Sequence, residues 1–234
     1  MTQLVRYESD GIVSTIIMDD GKANVLSPSM LRELNAAVDR AEAENTVVLL
    51  AGRAGMFSCG FDLAVFKRSR AEQLEMLLGG ARTALRLLAF PAPVVLACSG
   101  HAVAMGAFLL LSADVRIGVR GAEFQICVKE VEIGMTLPRF AVEICRQRLS
   151  PPHFHLATIT ARPYNPEEAR EAGFVDELTP AASLMDAACE QARVASKLNR
   201  AALIASKLRV RQSALDALRN AIAADEEEWR TRSS

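Results

Sequence analysis

The sequence is short of the residues that hold metals. It has three histidines in 234 residues, His101, His153 and His155, which gives a zinc hydrolase little to build on. Its five cysteines, Cys59, Cys98, Cys127, Cys145 and Cys189, show no paired metal spacing. They are expected to be free thiols in a reducing compartment, and no metal site is expected. Neither sign of charge prevails: 27 basic residues face 28 acidic ones, a formal net charge of −1. That balance argues against a nucleic-acid partner. The longest apolar run, near 102–111, contains Gly106 and stops before Asp114. It is too short and broken to span a bilayer, so no membrane partner is expected. Residues 1–15 carry Arg6, Glu8 and Asp10, do not read as a signal peptide, and leave a cytoplasmic location as the expectation. There is no internal repeat and no low-complexity tract.

What is present is an alternation of short apolar runs and helical patterns. Residues 3–9 and 12–18 read as a hairpin around Asp10-Gly11. Residues 27–44 read as a helix with Ser27 as cap, Pro28 in the first turn, and a stripe of Met30, Leu31, Leu34, Ala37 and Val38. A buried strand at 46–52, a helix at 69–89 and a strand at 94–99 suggest β-α-β units. A helix at 106–112, a strand at 114–119, a helix at 138–149 stopping before Pro151-Pro152, and a short helix at 166–172 follow. From about 180 the chain is helix-forming, as two or three helices. Its apolar residues, among them Leu198, Leu203, Leu208, Val210, Leu215, Leu218 and Ile222, must bury against this subunit or a neighbour.

Two stretches fit neither helix nor strand. "MFSCGFDLAVF", 56–66, carries Gly60 amid apolar flanks. "GHAVAMGAFLLLSAD", 100–114, passes from a turn at Gly100 to a helix starting near Met105. Chemistry on an acyl group needs two donors aimed at one carbonyl oxygen. A glycine bend after a strand would free the N–H of Phe61. A helix start would free the N–H of Met105, with the helix dipole favouring negative charge there.

These segments resemble the crotonase, or enoyl-CoA hydratase/isomerase, superfamily. "AGRAGMFSCGFDL" and "SGHAVAMGAFLLLSADVRI" look like its two oxyanion segments. "KEVEIGMTLP" looks like the segment with its catalytic glutamate, "YNPEEAREAGFVDEL" like its late signature, and "GKANVLSPSML" like the loop that touches coenzyme A. The resemblance implies an α/β fold, a spiral of β-β-α turns over residues 1–180 that holds an acyl-CoA site. It implies a helical oligomerisation region over 181–234, which builds homotrimers or dimers of trimers. The implied substrate is an acyl-CoA thioester, with no cofactor beyond the coenzyme A that the substrate carries. By position, the implied oxyanion donors are Phe61 and Met105. Implied coenzyme A contacts are Lys22, Ala23, Val25, Gly60, Phe61, Asp62, Leu63 and Gly106, with Lys207 on the tail. Met105 stands where the family usually has glycine, so its side chain must find room beside the thioester.

Hydratases of this family use two glutamates. The position of the first is Phe108 here, which can neither take nor give a proton. The second is Glu130, with Glu132 a rival that shares its face if 129–133 is extended. One acid with an oxyanion hole suits the 1,3-proton shift of the Δ3,Δ2-enoyl-CoA isomerases, and the length from Asp114 to Glu130 resembles the mitochondrial type of isomerase. Phe61, Phe108 and Val131 are expected to desolvate Glu130 and raise its pKa. Two other readings stay open. A hydratase or other lyase would take a second acid from Asp62, Glu72 or Glu75. A non-catalytic homologue would bind acyl-CoA without turnover.

Overall fold

The computed structural model describes residues 3–231; the expected domains' outermost residues, 1, 2 and 232–234, lie outside these. The described chain opens with a hairpin, β1 (Val5–Ser9) and β2 (Val13–Met18), which among the described residues are the only antiparallel neighbours in a six-stranded sheet. Helix α1 (Pro28–Ala43) follows, with Ser27 accepting from the N–H of Met30 and Pro28 inside the first turn. The large sheet continues in parallel through β3 (Val47–Ala51), β5 (Val94–Cys98), β7 (Val115–Val119) and β9 (Glu177–Thr179).

A second sheet was not legible in the sequence. Strands β4 (Gly55–Ser58), β6 (Gly100–Val103) and β8 (Ile126–Cys127) pair in parallel. Each follows a strand of the first sheet, so β3/β4, β5/β6 and β7/β8 are successive turns of one spiral. Gly100, expected as a turn, opens β6 instead. It lies so tightly on Gly55 that a side chain would collide with backbone. Strands of two to four residues with glycine, serine and histidine in them give no period-2 signal.

Helices α2 (Arg70–Ala89) and α3 (Met105–Leu111) close the spiral turns. The first is set by a capping box between Ser69 and Glu72; every residue of the second is buried. Then come α4 (Arg139–Arg148), α5 (Pro151–Thr160) and α6 (Pro166–Ala172). The helix expected at 138–149 does stop before Pro151-Pro152, and the pair then begins α5, where a missing N–H costs no helical hydrogen bond.

The tail forms α7 (Leu184–Ser196) and α8 (Arg200–Thr231). Its apolar residues divide. Leu215, Leu218 and Ile222 bury within this chain, on the half of α8 that packs against α2 and α4. Leu198 and Val210 stay 57% and 84% exposed. Asp225, buried, accepts from the N–H groups of Arg139 and Phe140 and so caps α4. Asp114 holds the start of β7 to α8 through Lys207 at 2.7 Å and Arg211 at 2.8 Å. Among the described residues no helix is long and apolar enough to cross a membrane.

Candidate active site

The loop before α1 is laced to the end of β4. Asp20 accepts from the N–H groups of Lys22, Asn24 and Val25. Asn24, buried at φ 48°, donates its amide to the carbonyls of Met18, Met56 and Phe57. Ala23 accepts from the N–H of Cys59 at 3.0 Å, and Gly60 from that of Leu26 at 2.8 Å. Of the implied coenzyme A contacts here, Lys22 is exposed, with its carbonyl held by Arg53, while Ala23 and Val25 are half-buried. Asn24 is the residue that sequence reasoning passed over, although it ties the whole loop down.

Gly60 makes the bend expected of it. At φ +84° it lies so close to the start of α3 that a Cβ there would meet Val103 O at 2.8 Å and Met105 N at 3.2 Å. The two stretches that looked odd in sequence therefore meet at one point. Among the described residues, neither the N–H of Phe61 nor that of Met105 has an acceptor in the chain.

The residue before Met105 carries a strain that the sequence hid. Ala104 sits at φ 51°, ψ −122°, a conformation that glycine adopts at little cost and alanine does not. The N–H of Ala104 donates to Cys127 O at 2.9 Å, which anchors the bend to β8. Met105 finds its room in α2. Its buried thioether and the ring of Phe61 both lie over Gly80, where a Cβ would come within 3.2 Å of the sulfur and 2.6 Å of the ring.

Several expected contacts have other tasks. Asp62 accepts from the N–H of Ala64 and holds its own turn. Leu63 is exposed. Gly106 faces inward rather than toward a ligand: a Cβ there would lie 2.4 Å from Ser58 O, so glycine is needed for α3 to seat on β4. Lys207 is a correction. Its ammonium is buried, bonded to Asp114 and to Ala92 O, and is not a free cation for a phosphate. His101 accepts from the N–H of Gln125, a satisfied polar residue.

Glu130 lies three residues past β8 at the start of a turn, and its carbonyl accepts from the N–H of Met135 at 2.8 Å. It is only 7% exposed. Burial pushes its carboxyl up to about 7. One oxygen, Oε2, is buried with no partner among the described residues. The thiol of Cys145 on α4 is pushed up by burial and then by the Glu130 charge. Val131 is no desolvating neighbour, because the turn leaves it 46% exposed. Glu132 points to solvent and pairs with Lys129 at 3.0 Å.

The other carboxylates considered as partners are engaged elsewhere. Glu72 closes its capping box with Ser69, and Glu75 pairs with Arg32. Phe108 is buried, edge-on to Phe140 at 5.9 Å, and Phe140 is edge-on to Trp229 at 6.4 Å.

The site thus has two unpaired N–H donors at one bend and a single desolvated carboxyl beyond a strand that pairs with that bend. The family model for enoyl-CoA hydratase/isomerase matches residues 8–232. The chain belongs to the enoyl-CoA hydratase/isomerase family. It is an enzyme of that family, which acts on acyl-CoA thioesters, and its fold is the crotonase fold. A putative enoyl-CoA hydratase of Thermus thermophilus is 31% identical over 79% of this chain and 74% of its own length. The solved structure of an enoyl-CoA hydratase from Mycobacterium ulcerans is 42% identical, covers 97% of this chain and 99% of that one, and superposes with a TM-score of 0.93. A Mycobacterium tuberculosis protein, called an enoyl-CoA isomerase in one solved structure and a probable enoyl-CoA hydratase in another, is 41% identical in the first, which covers 97% of this chain and 100% of that one with a TM-score of 0.93.

Proposed function

We propose that this family member is a Δ3,Δ2-enoyl-CoA isomerase with Glu130 as its acid–base group. The observation that carries this reading is the site's single buried carboxyl, Glu130, raised to about 7, with a phenylalanine packed edge-on against Phe140 where a second acid would stand. The thioester carbonyl lies between the N–H groups of Phe61 and Met105. Glu130 removes a proton from C2 of a 3-enoyl thioester, and the electron pair delocalises into a dienolate whose oxygen takes both hydrogen bonds. The same carboxyl returns the proton at C4, leaving the double bond between C2 and C3. No water enters the balance.

Each such donor is typically worth about 3 kcal/mol in a transition state. Coenzyme A runs along the loop that holds Lys22, Ala23 and Val25, and no separate cofactor takes part. We also carry forward assembly as a homotrimer or dimer of trimers through residues 181–234, for which the exposed Leu198 and Val210 are the support.

Hydration is the second reading, favoured by the hydratase names of the relatives above. It needs a water held by a second acid, and Asp62, Glu72 and Glu75 are the groups considered for it. The test is to incubate the protein with a 3-enoyl-CoA and, separately, a 2-enoyl-CoA, and to resolve the products. Conversion of the first without hydration of the second supports isomerisation. Rapid formation of a 3-hydroxyacyl-CoA from the 2-enoyl substrate refutes it. Glu130→Gln should lose activity in either case; an equal rate would remove Glu130 from the mechanism.

A further inference from the structure

Two adjacent glycines, Gly79 and Gly80, stand in the middle of α2. Glycine is among the poorest residues for a helix interior. Neither of these two has the positive φ that would call for it. Their surroundings differ. A Cβ on Gly79 would meet Leu31 Cδ1 at 3.3 Å, the far end of a side chain. A Cβ on Gly80 would lie 2.6 Å from Cε1 and Cζ of Phe61 and 3.2 Å from Sδ of Met105. An ordinary carbon contact is about 3.5–4.0 Å, so the ring would have to yield by about 1 Å. The two residues with unpaired N–H donors thus rest side by side on one backbone position that carries no side chain.

Both sides of this contact are braced. Beside Gly80, Thr83 donates its hydroxyl to Gly79 O at 2.7 Å. Asn35 of α1 donates its amide to that hydroxyl and to Leu31 O, each at 2.8 Å. Helix α2 is therefore pinned to α1 at the glycine pair. On the donor side, Met105 is wholly buried and Phe61 packs on the core. The backbone of Phe61 is also bridged to Leu26, just before α1.

We propose that Gly80 is a positioning residue for the reaction: by carrying no side chain it seats Phe61 and Met105 together on α2, and so sets the spacing of their two N–H donors. The proposal rests on the reading of those donors as the oxyanion pair, and goes beyond it by assigning what holds them to α2. An oxyanion pair works because its donors are fixed where charge develops. A misplacement of about 1 Å is enough to cost about 100-fold in rate. On the same reading, coenzyme A is held by the loop before α1 rather than by α2, so the loss should fall on kcat more than on KM.

The experiment compares the wild type, Gly79→Ala, Gly80→Ala, Phe61→Leu and the double variant Gly80→Ala with Phe61→Leu, each checked for native circular dichroism. Phe61→Leu keeps the N–H and removes the ring atoms that the new Cβ would meet. Two quantities are read. One is kcat and KM for a 3-enoyl-CoA. The other is the infrared stretch of a bound saturated acyl-CoA labelled isotopically at its thioester carbonyl, which falls when the oxygen accepts hydrogen bonds and needs no turnover. Gly80→Ala should lower kcat about 100-fold while moving KM far less, and should return the stretch toward its free value. Gly79→Ala should leave both readings as in the wild type, since it touches neither donor residue. Phe61→Leu opens a gap that the methyl group of Gly80→Ala fills, so the double variant should exceed both single variants in kcat. Should Gly80→Ala not fold, the double variant against Phe61→Leu reads the same seat. A Gly80→Ala protein with the wild-type kcat and stretch, or a double variant no better than its single parents, overturns the proposal while the oxyanion reading stands. A stretch that returns toward its free value in Gly80→Ala, in a protein that does not isomerise, upholds the seat and sinks the reaction. A wild-type stretch equal to that of the free thioester sinks the oxyanion pair and the proposal with it.

Discussion

Glu130 offers one number that two unrelated measurements must share. Its carboxyl is raised from 4.5 to about 7 by burial. The unfolded chain releases this proton near 4.5, and the folded chain keeps it until about 7. The native state therefore binds more protons across that interval, and folding stability falls as pH rises through it. A shift of this size corresponds to about 3 kcal/mol lost between pH 4.5 and 7, with no further loss above. Glu130→Gln has nothing to titrate. Its stability relative to the wild type should grow by about 3 kcal/mol across the same window. For a chain of this size that is about 6–12 °C in the difference of melting temperatures.

Catalysis runs the other way. The ionised carboxylate is the base, so kcat/KM for a 3-enoyl-CoA should rise through pH 7 and then level. Glu130→Gln should lose about 100- to 10,000-fold on the plateau above pH 7, and less below it. Because kcat/KM reports the free enzyme, the kinetic midpoint and the midpoint from paired thermal melts must coincide. Midpoints differing by more than a unit, or melts that run parallel from pH 4.5 to 8, would mean that another group is the base.

Four further outcomes are expected. Asn24→Ala leaves three carbonyls without its amide; it should cost about 1–3 kcal/mol in urea unfolding and raise KM for the thioester more than it lowers kcat. Ala104→Gly relieves the positive φ and should raise the melting temperature by an amount equivalent to about 1 kcal/mol; a fall would refute the strain. Asp114→Asn removes the partner of two buried cations and should cost about 3–5 kcal/mol by denaturant titration. Phe108→Glu places a charge between Phe140 and the core, so loss of the native melt should precede any new hydratase activity, and a stable, hydrating variant would contradict this.

Which parts of the molecule were legible follows from how far each signal travels along the chain. Strands β1, β2, β3, β5 and β7 of the large sheet and α1, α2 and α6 carry local signals, namely runs of Val and Leu, capping residues and glycine stops, and their expected positions agree with the structure; β9 was not expected. The second sheet carries none, because β4, β6 and β8 are held by long-range pairing of two to four residues each. Gly60 announced the first bend. Nothing announced the strain at Ala104, since alanine is at home almost anywhere and the strain lies in φ and ψ. Gly80 looked like a helix interior, and only the packing of Phe61 and Met105 explains it. Lys207 was misread because a basic run on a helix looks the same in sequence whether it faces solvent or a buried aspartate. Asn24 and Trp229 act through partners far off in sequence, Met56 and Phe57 for the first and Phe140 for the second, and no spacing rule would have found those contacts.

The replacement at position 108 ties the chemistry to the packing. A carboxylate there would need water or donors around it, and the space is occupied by the edge of Phe140. Removing the acid therefore does more than subtract a catalytic group. It lets α3, α4 and α8 meet through three aromatic rings, with Trp229 as the outermost. Hydration requires a water oriented by two acids; a stacked phenylalanine orients none and dries its surroundings. Burial of Glu130 itself keeps its proton on until about pH 7, which suits a group that must take a proton and give it back. On the proposed reading, the aromatic at 108 and the raised pKa at 130 both favour a reaction without water. Excluding water from one side of the thioester leaves the 1,3-proton shift as the reaction a single carboxyl can perform.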